Sequence, residues 1–474
     1  MTIVIVLVLL IAASLLFHVL SPWWFAPLAS NWKSIDDTIS TTIWVTGVVF
    51  VIVNLFMAYA IYRFRYQKDK RSHYEPENKK LEWQLMGLTT AGIVVLLAPG
   101  LYSWAKVVDV PKDAAMVEVV GKQWHWSFRF PGKDGVLGTV NARFVSDSNP
   151  FGLNPEDPNG QDDILISSQE LHLPIDKPVR VLLRSTDVLH DFAVAQFRVK
   201  MDFVPGMVTQ IWLTPTRTGS FDILCEELCG IGHFAMRGKV TVEDQQAFQT
   251  WLSSYPSFAQ TQARVAGDAG AGQRLFAVCA SCHGAQAEGN PALHAPKLSG
   301  QQDWYLKRQL KYFKQGIRGS HTDDQFGKMM APMAATLATD ADIDNVVAYI
   351  LTLADLPAPK TLGPVTTRAQ KSYVTCAACH GVNGEGVQAM NAPRLAGMSD
   401  WYLSTQLKNF RQRVRGAHAG DEYGDQMSLM VGMLTDDQQI DGIAAYVSTL
   451  TGSGNRARAG SGKANDALAK RDAQ

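Results

Sequence analysis

The first hundred residues contain three long apolar stretches separated by short polar segments. Residues 1–32 include no Asp, Glu, Lys or Arg, and positions 2–20 form one continuous apolar run. The stretches at 38–62 and 83–105 also carry no charged residue. An apolar helix of about 20 residues is long enough to cross the hydrocarbon core of a bilayer. The pattern therefore predicts a transmembrane region over 1–108, with helices near 2–20, 38–62 and 83–105.

The first apolar stretch has a second interpretation, a cleaved signal peptide. Such a peptide begins with a positively charged segment and ends at a cleavage site of small residues. Neither feature is clear in this stretch, although Ala12, Ala13 and Ser14 are small. We favour a retained helix that is followed by Trp23 and Trp24 at the membrane interface.

Basic residues cluster between the second and third predicted helices. The positive-inside rule places such a cluster in the cytoplasm. Because the third helix returns across the membrane, we expect the residues after Lys106 to lie on the exported side. The cluster consists of Arg63, Arg65, Lys68, Lys70, Arg71, Lys79 and Lys80.

Beyond the apolar region, short β-prone runs fill residues 109–255. The stretch 116–131 is rich in aromatic side chains, which favour strands. Residues 134–163 are rich in Gly, Asn, Asp and Pro, and this composition predicts a long loop. A short helix is predicted near 245–252. The pattern indicates an all-β sandwich or barrel domain over 109–255.

The last part of the chain is a tandem repeat that follows a linker. The segment 256–272 is rich in Ala, Gly and Gln and predicts a flexible linker. Two helical domains are then predicted, at 273–355 and 365–452, in which equivalent residues lie 97 positions apart. Residues 453–474 contain few large apolar side chains and are predicted to be a disordered tail.

Charge and cysteine content narrow the class of protein. The 474 residues include 44 basic and 44 acidic side chains, so the chain has no net positive charge that would attract nucleic acid. Six cysteines could form three disulfides in an exported protein. All six lie instead in three motifs typical of metal or haem binding, and none is left for a structural disulfide.

The first motif is the segment C-E-E-L-C-G-I-G-H-F-A-M, which spans 225–236. Two thiols, an imidazole and a thioether on one loop suit copper or iron better than magnesium or calcium. A further ligand must come from elsewhere, and His190 is the candidate. A disulfide between Cys225 and Cys229 is the alternative, but the fixed spacing to His233 and Met236 argues against it.

The other two motifs are C-x-x-C-H, the attachment signature of c-type haem. Two thiols at this spacing reach the vinyl groups of the haem, and the adjacent imidazole ligates the iron. Because the motif occurs twice with His each time, a redox dithiol is disfavoured. The residues are Cys279, Cys282 and His283 in the first copy and Cys376, Cys379 and His380 in the second.

The sixth ligand of each iron has three repeat-matched candidates. Methionine raises the potential of a haem relative to a second histidine, which suits delivery to a high-potential acceptor. His321 and His418 follow glycine-rich turns and are interpreted as surface residues. The methionine candidates are Met330 with Met427 and Met333 with Met430.

Over roughly 34–255 these motifs resemble subunit II of the haem-copper cytochrome c oxidases. The resemblance implies a cupredoxin Greek-key barrel, which we call the cupredoxin domain, with a binuclear copper centre of the CuA type. Its ligands would be the thiolates of Cys225 and Cys229, the imidazoles of His190 and His233, the thioether of Met236 and the backbone carbonyl of Glu227.

The same resemblance assigns roles to three further side chains. Trp124 matches an exposed tryptophan through which electrons enter. The carboxylate of Glu227 would also bind Mg²⁺ at the boundary with subunit I. Glu82 would lie at the mouth of a proton-uptake path, or it is an ordinary helix-start glutamate. The departure at Leu85, where the family usually has tryptophan, leaves both interpretations of Glu82 open.

The repeated helical domains resemble periplasmic two-haem cytochromes c, and we call them the first and second cytochrome units. In that family the first methionine of M-x-x-M is the axial ligand, so the resemblance favours Met330 and Met427. Met333 and Met430 would then pack against the haems.

Taken together, the resemblances imply a multi-pass protein of the bacterial inner membrane with copper and haem domains in the periplasm. It would accept electrons from a cytochrome c or a bc1 complex. It would pass them to subunit I, alongside subunit III, where oxygen is reduced to water with proton translocation. A subunit of nitric oxide reductase is the alternative, and a copper chaperone is disfavoured because it needs no haem.

Chain order suggests a sequence of electron transfer. The haem near Cys279 would be the donor nearest Trp124, and the haem bound by His380 would be outermost. A flexible linker would also permit the reverse order.

Overall fold

The computed structural model describes residues 2–21, 25–68, 70–71, 76–145, 149–263 and 267–452. The predicted interface position of Trp23 and Trp24 and the predicted tail at 453–474 lie outside these residues.

Three helices form the N-terminal region, and each is long and apolar enough to cross a membrane. They are α1 (Thr2–Leu20), α2 (Lys33–Arg63) and α3 (Lys79–Val108). The prediction of three helices is confirmed. Helices α2 and α3 are longer than the uncharged stretches, and their ends include charged residues.

The first turn of α2 contacts the cupredoxin domain. Asp36 accepts a hydrogen bond of 2.6 Å from Nε of Arg198, a residue of the cupredoxin domain. The Trp212 indole donates to the carbonyl of Lys106 near the end of α3. These contacts join the membrane helices to the β-structure.

The cupredoxin domain is a sandwich of two five-stranded sheets, in agreement with the predicted all-β architecture. One sheet has the order β3-β2-β1-β5-β8 and the other β4-β10-β9-β6-β7. The strands are β1 (Ala115–Lys122), β2 (His125–Phe130), β3 (Ile164–Ile166), β4 (Glu170–Pro174), β5 (Val179–Ser185), β6 (His190–Val194), β7 (Val199–Phe203), β8 (Val208–Leu213), β9 (Gly219–Leu224) and β10 (Arg237–Glu243).

Strand periodicity explains the core between the sheets. In β5 the side chains of Val179, Val181 and Leu183 are buried at every second position, because alternate residues of a strand face one side. Trp126 is fully buried in β2, as expected for a core residue.

The outer face of β2 is covered by the long loop at 134–163. Arg129 in β2 is buried and donates to Glu118 at 2.7 Å and to Asp163 at 2.9 Å. It also donates to the carbonyl of Gly138 in the loop. A buried charge is tolerated when it is paired in this way, so the loop is part of the folded domain.

The predicted flexible linker is partly ordered, which corrects the sequence interpretation. After α4 (Gln245–Ser253), a short helix α5 (Phe258–Gln262) buries Phe258 against the cupredoxin domain. The Phe258 amide donates to the carbonyl of Asp163. One buried aromatic anchor thus outweighs the flexible composition around it.

The two cytochrome units repeat the same four helices. They are α6 (Ala269–His283), α7 (Asp303–Lys314), α8 (Gln325–Ala335) and α9 (Asp340–Thr352), then α10 (Thr367–His380), α11 (Asp400–Arg411), α12 (Glu422–Val431) and α13 (Asp437–Val447). Each C-x-x-C-H motif occupies the last turn of its helix. The helix stops there because Gly284 and Gly381 adopt positive φ angles of 81° and 83°.

The two units pack through a near-symmetric network of buried polar groups. Arg318 donates to Gln309 of its own unit and to the Tyr402 hydroxyl of the other, at 2.7 and 2.8 Å. The repeat-related Arg415 donates to Tyr305 in return, at 3.0 Å. Because each arginine links both units, the network fixes their relative orientation.

Candidate copper and haem sites

Three strand ends bring the candidate copper ligands together. The loop 225–236 joins β9 to β10, and His190 opens β6, which pairs with β9 in the same sheet. His190, Cys225 and Cys229 are all buried, and their ligand atoms lie within 4.8 Å of one another. The motif and the distant histidine therefore share one site.

Distances within the loop fit a compact cluster of soft ligands. The Sγ atoms of Cys225 and Cys229 are 3.7 Å apart. Cys229 Sγ lies 3.4 Å from His233 Nδ1 and 3.8 Å from Met236 Sδ. The backbone carbonyl of Glu227 lies 3.2 Å from Cys225 Sγ. This donor set suits copper.

The histidine is oriented for metal binding by its neighbour. Nε2 of His190 contacts Oδ1 of Asp187 at 2.8 Å. Nδ1 is buried and has no hydrogen-bond partner among the described residues. A carboxylate on one ring nitrogen fixes the tautomer that leaves the other free as a ligand.

The pKa values of the two thiols shift in opposite directions. The hydrogen bond with Cys229 lowers the pKa of Cys225 to about 3, against the effect of burial. The same hydrogen bond and burial raise the pKa of Cys229. The lowered pKa of Cys225 favours the thiolate, which is the form of cysteine that binds a metal.

Trp124 directly contacts the loop 225–236, which we call the copper loop. Its indole Nε1 donates to the carbonyl of Cys229 at 3.0 Å, and the Gln123 side chain donates to the same oxygen at 2.8 Å. Gly232 lies flat against the ring, where an added Cβ would be 2.4 Å from Cδ2. Glycine is therefore required for this close approach.

Trp124 is only 8% exposed, which corrects the expectation of an exposed entry residue. The second cytochrome unit covers it. The Gln426 side chain donates to the carbonyl of Trp124 at 2.6 Å, and Cys379 and Met390 pack against the hydrophobic core that includes this tryptophan.

Helix α12 holds the second unit in place through polar contacts with the cupredoxin domain. Glu422 accepts hydrogen bonds from the Ser168 hydroxyl at 2.8 Å and from the Gln169 amide at 2.7 Å. The Tyr423 hydroxyl donates to the carbonyl of Ser167. These hydrogen bonds all reach α12. The structure therefore places the second unit against Trp124, where chain order had suggested the first unit with Cys279.

His125 lies at this interface and is not positioned as a copper ligand. Its Nε2 contacts the Ser127 hydroxyl at 2.9 Å, and its ring meets Tyr423 edge-on. Burial, with a smaller contribution from Lys122 and Arg308, lowers the pKa of His125 to about 4. The imidazole is therefore neutral at physiological pH.

A cavity of about 460 Å³ lies in the cytochrome units and extends to Trp124, Gly232 and Ala235 of the cupredoxin domain, and its lining fits c-type haem. The cysteines and histidines of both C-x-x-C-H motifs line it. Nδ1 of His283 contacts the carbonyl of Pro296 at 2.7 Å, and Nδ1 of His380 contacts that of Pro393 at 2.8 Å. A carbonyl partner fixes the proton on Nδ1 and leaves Nε2 free for iron.

The cavity lining also bears on the sixth ligands. All four methionine candidates line it, namely Met330, Met333, Met427 and Met430. His321 and His418 are not among the described residues that do so. The geometry favours methionine over histidine but does not separate the two methionines of a pair.

Four arginines of the cavity wall, three of them buried, were not predicted from the sequence as functional residues. Each has an Nε–H without a hydrogen-bond partner among the described residues. Such donors fit the two propionates that a haem carries. For Arg318 and Arg415 the recurrence of Arg-Gly in both repeats was the available signal. The four are Arg308, Arg318, Arg394 and Arg415.

Two glutamates have further roles implied by the resemblance. Glu227 contributes its backbone carbonyl to the candidate copper site, and its carboxylate Oε1 lies 3.9 Å from Nζ of Lys200. Glu82 lies in the first turn of α3 and is exposed.

Comparisons with known proteins agree with this division of the chain. Residues 115–243 match the family model "Cytochrome C oxidase subunit II, periplasmic domain". Residues 269–354 and 366–451 each match the cytochrome c family.

Individual relatives match about half of the chain. The chain is 54% identical over 264 residues to the alternative cytochrome c oxidase subunit 2 of Bradyrhizobium diazoefficiens, a match that covers 56% of this chain and 95% of the relative. It is 29% identical over 227 residues to cytochrome c oxidase subunit 2 of Cereibacter sphaeroides, or 44% of this chain and 74% of the relative.

Two solved structures resemble separate parts of the chain. The periplasmic domain of cytochrome oxidase subunit II of Bradyrhizobium japonicum has a TM-score of 0.23 at 28% identity, covering 31% of this chain and 96% of that one. Reduced cytochrome c4 of Pseudomonas stutzeri has a TM-score of 0.32 at 27% identity, covering 39% and 100%.

Membrane helices, a β-sandwich with clustered soft ligands and two cytochrome c units define a membrane-anchored electron-transfer protein. Given the extent of the Bradyrhizobium diazoefficiens match, the chain belongs to the cytochrome c oxidase subunit II family. It is a component of an oxidoreductase, a haem-copper oxidase. Its cytochrome units imply haem c, and its cupredoxin domain implies copper.

The contact between Gly232 and Trp124 yields a testable prediction. Gly232→Ala should displace the indole and loosen α12, because the new Cβ has no room beside the ring. We expect faster hydrogen–deuterium exchange at the α12 amides. Gly363→Ala is the control, since nothing lies within 4 Å of its added Cβ. Equal exchange in both variants would contradict this packing.

Proposed function

We propose that this subunit relays electrons from the first cytochrome unit to the second, then to the cupredoxin domain and on to a partner subunit. The partner would reduce oxygen to water and couple this reaction to proton translocation. One observation carries the proposal: Trp124 lies between α12 and the copper loop and is hydrogen-bonded to both.

The proposal assigns a binuclear copper centre to the cupredoxin domain and one haem c to each cytochrome unit. Copper and haem iron supply one-electron redox chemistry that protein side chains alone lack. The copper ligands would be His190, Cys225, Glu227, Cys229, His233 and Met236. The haem ligands and attachment residues would be Cys279, Cys282, His283 and Met330 in the first unit and Cys376, Cys379, His380 and Met427 in the second.

The short path across the domain boundary supports the revised order of transfer. Gln426 is adjacent in sequence to Met427, the proposed ligand in the second unit. Its side chain reaches the Trp124 carbonyl, and the Trp124 indole reaches the carbonyl of Cys229, a proposed copper ligand. A chain of covalent and hydrogen bonds thus connects the two sites.

The proposal also includes a cellular location and a set of partners for this subunit. The three helices would anchor it in the bacterial inner membrane, with the copper and haem domains in the periplasm. Partners would be subunit I, subunit III and an external donor such as a cytochrome c or the bc1 complex. Glu227 would bind Mg²⁺ at the boundary with subunit I, and Glu82 would lie near a proton-uptake path.

The docking contact can be tested in the assembled complex. The double substitution Glu422→Ala, Gln426→Ala removes three hydrogen bonds, two of them to a carboxylate that contribute roughly 1.5–3 kcal/mol each. In rapid mixing with reductant we expect copper reduction to slow by about tenfold or more, while both haems are reduced at the normal rate.

A matched control lies on the same helix. Asp425 contacts Arg413 at the surface and makes no hydrogen bond to the cupredoxin domain among the described residues. Asp425→Ala should leave copper reduction unchanged. An unchanged rate in the double variant would remove the support for transfer across α12.

The copper assignment has a spectroscopic test. The thiolates of Cys225 and Cys229 would hold a copper pair that shares one unpaired electron, so the oxidised protein should show the paramagnetic resonance spectrum of a mixed-valence pair. Cys225→Ser should abolish it and lower the copper content, because a hydroxyl is a poor ligand for copper. Met236→Leu should retain copper with an altered potential. Hyperfine splitting from a single copper in the unmodified protein would refute the assignment.

A further inference from the structure

The internal repeat allows the same surface to be compared in two settings. In the second cytochrome unit, four of the residues that contact the cupredoxin domain also line the haem-binding cavity. They are Cys379, Met390, Tyr423 and Gln426. The repeat spacing of 97 residues relates them to Cys282, Leu293, Phe326 and Met329 of the first unit. We call this second set the entry patch.

The entry patch is open to solvent, whereas its counterpart is covered. Leu293 is 49% exposed, Phe326 41% and Met329 64%, and Cys282 is also exposed. An apolar cluster of this kind, on a surface whose duplicate is an interface, indicates an interaction site.

The patch borders the haem-binding region. Its four residues all line the cavity that holds the C-x-x-C-H motif of the first unit. A partner seated on them would approach the edge of a haem bound by His283. The equivalent contact in the second unit is the one through which, under the proposed function, electrons leave for copper.

The polar anchors of the second unit are absent from the entry patch. Glu422 corresponds to Gln325 and Gln426 to Met329, so neither the carboxylate nor the amide that fixes α12 is shared by the two repeats. Without them, contact would rest on apolar burial over a small area. Small interfaces of this type are typical of transient redox encounters.

We propose that the entry patch is the docking surface for an external one-electron carrier protein that presents apolar side chains around its own redox centre. During transfer the carrier loses one electron and the first cytochrome unit gains it, with no bond or proton exchanged. The inference rests on the proposed order of transfer, in which the first unit is outermost.

Binding can be measured without turnover. The probe is an oxidised bacterial cytochrome c whose haem edge is ringed by apolar side chains, titrated into the oxidised full complex by calorimetry. Met329→Asp places a charge in the patch, so Kd should rise by about tenfold. Leu293→Asp, on a different segment, should have the same effect. Val382→Asp, at a site of the second unit that is 72% exposed, is the control and should leave Kd unchanged.

Two further readouts separate this inference from the proposed function. Met329→Asp should slow the bimolecular reduction of the complex by the reduced probe by the same factor, when each rate is divided by the rate at which the same variant is reduced by ascorbate with a small mediator. Failure of copper to receive electrons, with normal probe binding, would count against the proposed order alone.

Three results would overturn the inference. One is an unchanged Kd in both patch variants, and another is an equal loss of affinity in Val382→Asp. The third is a complex that self-associates in sedimentation through the patch, becomes smaller in Met329→Asp and binds the probe as before. The patch would then join two copies of this chain.

Discussion

The Glu422 carboxylate is inserted between two domains, where the Ser168 hydroxyl and the Gln169 amide donate hydrogen bonds to it. Burial raises the pKa of this carboxyl, and the two hydrogen bonds act in the opposite direction. Removing a carboxylate from water is costly, so such a contact persists only where it is well satisfied. The proposed electron path would depend on it, because the same helix carries Gln426 to Trp124 and Met427 to the haem cavity.

Gene duplication gave the chain two similar units, and the structure uses them differently. Arg318 and Arg415 occupy equivalent positions and bind across the boundary in both directions, so the units form a matched pair. Their outward surfaces have diverged. Tyr423 and Gln426 bind the cupredoxin domain, whereas Phe326 and Met329 remain exposed. The pair is therefore asymmetric. The second unit contacts the cupredoxin domain, whereas the equivalent apolar surface of the first unit is exposed.

Local motifs could be predicted from the sequence, but the contacts between domains could not. The three helices and the all-β architecture follow from residue periodicity, and the 225–236 loop follows from ligand spacing. The covering of Trp124 could not be predicted, because Glu422 and Gln426 resemble ordinary polar positions of a surface helix. The ordered linker depends on Phe258, a single aromatic residue in a flexible composition. Chain order suggested that the first unit lies beside Trp124, whereas the linker allows the second unit to pack there.

The order of transfer is tested most directly by replacing the proposed methionine ligand of the second unit. Met427→His should lower the potential of that haem. In stopped-flow mixing with the external donor, we predict that the first-unit haem is reduced at the normal rate while the second-unit haem and copper lag. If the first-unit haem slowed as well, electrons would enter through the second unit, and the proposed order of transfer would be contradicted.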